Sequence, residues 1–240
     1  MMENWSRPYW QEYSQNPHLF YGVLGTFELT EELKQLATDL PQSLECNLME
    51  GGYFRDNFVW ELLERDEPEL AAVAAQAPDT IILVGDVHRQ RDLDYLKSCI
   101  DLVTYLTEKG GTTVFDVHTV SWYSAIDWQN RAEEGQIFNP FDHVVLLISE
   151  APEGLWLHTR GLRKFGRPDL SVRGVNTEEQ GLVKKMLDRF ISFQALGGVI
   201  EEGREVTMKG LHSLYIPGAV QGSVDDPDFN NFHIEIEKRG

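Results

Sequence analysis

The sequence predicts an α+β fold, a mixed β-sheet with at least one βαβ unit covered by amphipathic helices, in a single domain spanning residues 1–240. Three observations predict it. The apolar run over 80–87 has strand length, an amphipathic helix follows over 91–109, and a second strand follows over 112–120, which is the order and size of a βαβ unit. Two further strand-like segments, 142–149 and 155–160, flank the turn residues Pro152, Glu153 and Gly154, as in a hairpin. Near the C-terminus, Phe232, Ile234 and Ile236 alternate with His233, Glu235 and Glu237, the pattern of a half-buried antiparallel strand.

The remaining elements follow in chain order. Residues 1–18 carry Trp5, Tyr9, Trp10 and Tyr13 without a period and read as an arm that packs its rings on the body. A strand is expected over 19–29, then a short helix capped by Thr30, carrying Leu33, Leu36, Ala37 and Leu40 and stopped by Pro41. Residues 44–60 read as two short strands around Gly51-Gly52, and 69–77 as a helix opening after Pro68. In the 91–109 helix, Leu93, Leu96, Ile100, Val103 and Leu106 recur at steps of three or four, and Cys99 falls on the apolar side. Gly110-Gly111 ends it. Ser124 and Asp127 have the spacing of a capping box for a helix to about Glu134, and Thr177 with Gln180 repeats that spacing before the stripe Leu182, Val183, Met186, Leu187, Phe190 and Ile191. A weak boundary is conceivable near Pro78.

The charge of −18 opposes binding to nucleic-acid phosphate or to an anionic membrane, so neither is expected as a partner. No run approaches the length of a membrane span and the N-terminus has no apolar leader, which points to a cytoplasmic protein. Two cysteines outside any C-x-x-C pair agree with a reducing compartment. Residues 1–80 hold 15 acids and 4 bases, with Glu61, Glu64 and Glu67 in the densest part. Such a surface is either a solvated face or a dock for a basic protein.

Two places could carry chemistry. Asp86-Val87-His88 and Asp116-Val117-His118 are identical tripeptides, each closing an expected strand. Residues two apart in a strand share a face, and ligands favour the carboxyl ends of parallel strands. Asp86, His88, Asp116 and His118 would together suit a divalent transition metal that activates water, with Asp127, His143 and His158 as further donors. The plainer alternative is that these side chains cap the turns that follow, with a third strand between them. The second place is a reversal of charge over 160–173, where Arg160, Arg163, Lys164, Arg167 and Arg173 meet one acid, Asp169. It could clamp an anionic ligand, or be a solvated turn shaped by Gly166 and Pro168. P-loop, G-x-G-x-x-G, H-E-x-x-H and G-x-S-x-G motifs are absent.

Val84–His88 resembles the opening D-x-H motif of calcineurin-like metallophosphoesterases, but the family's G-D-x-x-D/N-R-G and G-N-H-E/D elements are missing and Arg89 stands where Gly is usual. His158–Leu170, of the form H-T-x-G-L-x-x-F-G-x-P-D-L, resembles the signature of an uncharacterised bacterial domain-of-unknown-function family. That resemblance implies a bacterial cytosolic α+β domain, and immunity or adaptor proteins are its nearest functional analogy. The expectation is therefore an interaction module for a basic partner, with a metal-dependent hydrolase and a small-anion sensor as alternatives.

Overall fold

In the computed structural model, which describes residues 5–28, 30, 35, 44–88, 91–134, 137–210 and 214–239, ten strands divide equally between two sheets. The fold class is α+β, as the sequence indicates. The chain packs as two units, Met1–Trp5 with His18–Phe138 and Ser6–Pro17 with Asn139–Gly240. The sequence reads as one domain with a weak boundary near 78, but the division falls after Phe138. Residue 78 lies inside the first unit, where the Gly51 amide donates to its carbonyl at 2.6 Å.

The sheet of the first unit contains β1 (His18–Gly25), β2 (Glu45–Glu50), β3 (Asp79–Asp86), β4 (Gly111–Asp116) and β5 (Ser121–Ser124), in the order β2-β3-β1-β4-β5. Every neighbouring pair is antiparallel. β3 and β4 therefore run parallel to each other with β1 between them. The helix that joins them, here α3 (Asp94–Glu108), buries Leu96, Cys99, Val103 and Leu106 along the expected stripe. Before β3 lie α1 (Phe58–Asp66) and α2 (Pro68–Ala74), and after β5 comes α4 (Ala125–Glu134). The Ser124 hydroxyl donates to Asp127 at 2.5 Å and accepts the Asp127 amide at 3.2 Å, so that capping box forms. The core joins Phe54, Trp60, Leu63, Ile82 and Phe115.

One element differs in kind. Beyond Gly51-Gly52 the expected second strand is a turn followed by α1. Asn57 caps the helix by accepting the Val59 amide, and Val59, Trp60 and Leu63 form its buried stripe. The apolar run was short enough to fit either period, and the cap decides for the helix. The helix expected after Thr30, with Leu33, Leu36, Ala37 and Leu40, falls outside the described residues.

The second unit is built on β6 (Val145–Ala151), β7 (Gly154–Arg160), β8 (Asp169–Val175), β9 (Leu214–Ser223) and β10 (Asn231–Arg239), ordered β6-β7-β8-β10-β9. It is mixed, because β8 and β10 run parallel while the other neighbours are antiparallel. α5 (Gln180–Ala195) follows β8 and buries Val183, Met186, Leu187 and Ile191. Thr177 forms no capping box with Gln180, since the N-cap position is Glu179 and it makes no side-chain cap. The segment Ser6–Pro17 is laced onto this unit. The Tyr9 amide donates to the Leu196 carbonyl at 3.0 Å, the Gln11 amide to that of Gly197 at 2.9 Å, and the Tyr9 ring packs on Phe193.

Candidate functional site

The paired Asp-Val-His segments are at the same end of the first sheet but on opposite sides of β1. Two ladder spacings, about 10 Å, separate their backbones. Asp86 and His88 are exposed, whereas Asp116 and His118 are buried. Asp116 turns back on its own loop, with Oδ1 accepting the amides of His118 at 3.1 Å and Thr119 at 3.4 Å. The intervening strand supplies its own imidazole. His18 stands opposite Asp86 in the ladder, and its Nδ1 lies 3.0 Å from Nε2 of His118. The sequence pairing of His88 with His118 is thus replaced by His18 with His118. Among the described residues, no group of three or more His, Cys, Asp and Glu side chains could hold a metal ion. Asp127 is engaged in its helix cap, and His143 and His158 belong to the other unit.

The basic loop is turned inward. Gly161 and Gly166, at φ of 115° and 62°, bound a 3₁₀ turn over Leu162–Phe165 that left-handed backbone at both ends makes possible. Arg167 is buried and donates to four carbonyls, those of Gly198 at 2.8 Å, Gly166 at 3.0 Å, Gln11 at 2.8 Å and Gly197 at 2.6 Å. Arg160 donates to the carbonyls of Asp228 and Pro227, and Arg163 to that of Asn230. Lys164 is fully buried. The three guanidiniums bind backbone oxygens of their own unit, which fits the turn reading better than an anion clamp.

Asp169, the one acid of the loop, sits at the centre of a buried network. Its carboxylate accepts the Thr159 hydroxyl at 2.7 Å, the Leu162 amide at 3.3 Å and the Asn231 side-chain amide at 2.8 Å. Full burial pushes its pKa up to about 7 despite those three donors.

On the first unit, Glu61, Glu64 and Glu67 are all exposed along α1 and its junction with α2. Trp60 donates its indole N–H to Glu64 at 2.9 Å, which fixes one carboxylate against the helix. Phe58, one turn before Glu61 on the same helical side, is 57% exposed. Glu61 therefore stands one turn from an apolar side chain that the core leaves uncovered, and Glu64 and Glu67 continue the acidic surface toward the end of the helix.

A fourth cluster escaped the sequence reading. On one face of the second sheet, Arg173 lies 4.0 Å over Trp156, Trp156 stacks on His158 at 4.0 Å, and Phe229 stacks on His233 at 4.0 Å. His158 and Phe229 meet edge to face at 5.4 Å. Burial, then Arg160, pulls the His158 pKa down to about 4, and burial also lowers that of His233. The alternation of Trp156 with His158 and of His233 with Glu235 was the signal in the sequence. The partner strands were not visible there. No protein-family model matches this chain, and no curated protein or solved structure matches it.

Proposed function

We propose that the protein is an interaction module, immunity- or adaptor-like, that binds a basic protein partner in the cytoplasm through the exposed side of α1. The observation that carries this reading is the exposure of Glu61 one turn from the half-exposed ring of Phe58, with Glu64 and Glu67 exposed farther along α1 and at its end. Carboxylates steer a cationic partner and fix its register, and an aromatic anchor supplies contact area that charges alone do not. Neither cysteine is in a disulfide, which suits a reducing compartment. A hydrolase using Asp86, His88, Asp116 and His118 draws less support, because β1 stands between the two segments. An anion sensor using Arg160, Arg163, Lys164 and Arg167 draws less support, because the three guanidiniums are engaged by carbonyls.

The test is capture at low salt, identification of the captured protein, and titration of that purified partner against the wild type and Glu61→Lys/Glu64→Lys/Glu67→Lys. The expected complex weakens as salt rises and loses about tenfold or more in affinity on charge reversal. A complex that survives the reversal unchanged would overturn the reading.

A further inference from the structure

β6 is the outermost strand of the second sheet, and β7 pairs with it along its whole length, from Val145↔Arg160 to Ala151↔Gly154, without a register shift. Its outer edge joins no ladder among the described residues. Proteins normally blunt such an edge with lysine, proline, a bulge or brevity. The other three edges are blunted. β9 contains Pro217 and a Gly222 at φ 79°, and its pairing with β10 shifts register. β2 carries Glu45 and Glu50, and β5 is four residues long. β6 reads Val-Leu-Leu-Ile-Ser-Glu-Ala, straight, with no proline, glycine or cation and one acid near its end. Leu147 and Ile148 point to opposite faces and are 38% and 41% exposed. The strand thus offers backbone groups at its edge and apolar side chains on both sides.

We infer that β6 pairs antiparallel with the β6 of a second copy of the chain, about a two-fold axis at Leu147. A two-fold axis through an antiparallel pair sets one residue opposite itself. Centred on Leu147, the register sets Leu147 against Leu147, Leu146 against Ile148 and Val145 against Ser149, so the paired stretch is apolar apart from the serine hydroxyl. The two Glu150 carboxylates fall at opposite ends, six residues or about 20 Å apart along the strand. That exceeds the Debye length of about 8 Å at physiological salt, so the pair brings no like charges together. The strand is complementary to itself, and it offers a cationic peptide a single carboxylate. Two copies at −18 each repel over longer range, so salt strengthens this association. The complex proposed for α1 responds to salt in the opposite direction, and α1 lies in the other unit, so the two ideas stand or fall separately.

Sedimentation of the intact chain at rising concentration and salt reads the association directly. The expected result is an average mass moving from 27.5 kDa toward twice that value as either rises. Leu147→Lys and Ile148→Lys, both at exposed positions, should remain at 27.5 kDa with unchanged far-ultraviolet circular dichroism. The register is read by mild oxidation in a Cys46→Ser background: Leu147→Cys should form a disulfide-linked dimer and Glu150→Cys should not. A wild type that stays monomeric at high concentration and high salt overturns the proposal, whatever else binds β6. Lysine variants that dimerise as the wild type does, or equal crosslinking at both cysteine positions, overturn it as well.

Discussion

The hydroxyl of Thr159 donates to Asp169 at 2.7 Å and accepts the amide of Leu170 at 2.9 Å, so one side chain of β7 completes two polar groups at the start of β8. Thr159→Val keeps the shape and removes both bonds. The buried Leu170 amide loses this acceptor and the buried Asp169 loses one of its three donors, so the expected loss of unfolding free energy is about 1–3 kcal/mol, read as a lower urea midpoint with unchanged slope.

Asp169 and His158 link stability to pH in opposite senses. The Asp169 pKa is raised from 3.8 to about 7 on folding, so the unfolded chain releases its proton first. Stability therefore falls as pH rises from 3.8 to about 7, by up to about 1.4 kcal/mol per pH unit. The His158 pKa is lowered from 6.5 to about 4, so its contribution is intact above 6.5 and is lost as pH falls toward 4. Asp169→Asn should lower stability overall, because its amide meets the donating amide of Asn231, and should add an upward slope between pH 4 and 7 relative to wild type. Denaturant curves at pH 4.5, 5.5 and 6.5 measure that difference in slope, and parallel curves for the two proteins would contradict the linkage.

Replacing Arg167 with lysine keeps the charge but cannot reach four carbonyls in different directions. A loss of about 3–5 kcal/mol is expected, in the range for a buried charge stripped of its partners. Millimolar phosphate or citrate should leave the melting temperature of the wild type unchanged. A rise saturating with anion concentration would return the loop to the list of ligand sites.

Gly197 has φ of 101°, and a Cβ there would stand 2.5 Å from the Cα of Trp10. The obstacle is backbone and cannot rotate away. Gly197→Ala should cost more than about 2 kcal/mol and expose the Ser6–Pro17 segment to limited proteolysis earlier than in the wild type.

Elements whose logic is local were legible. The stripe of α3, the burial of Cys99, the Ser124–Asp127 cap and the alternation of β10 are each decided within one helical turn or one strand, where side-chain period speaks directly. α1 was missed because Phe58, Val59 and Trp60 suit a strand as well as a helix, and only the Asn57 cap separates the two. β9 was missed because Pro217 and Gly218 interrupt its pattern. The sites were less legible for a different reason. The carbonyls that Arg167 binds come from residues 30 and 156 positions away, and nothing in the spacing of the basic loop announces them. His18 looked like part of an arm, and its bond to His118, 100 residues on, depends on β1 lying between β3 and β4.

The lacing of Ser6–Pro17 onto the second unit orders events during synthesis. Arg7 binds the carbonyls of Phe165 and Gln194, which lie 158 and 187 residues later. At translation rates on the order of 5–20 residues per second, this segment waits roughly 10 s or more on the ribosome before its docking surface exists. The first unit, by contrast, holds the residues of its whole sheet by the time Phe138 is joined. Tyr9, Trp10 and Tyr13 make the waiting Ser6–Pro17 segment a ready target for chaperones, and a fragment expressed from residue 139 onward would lack the strap that bonds to the end of α5.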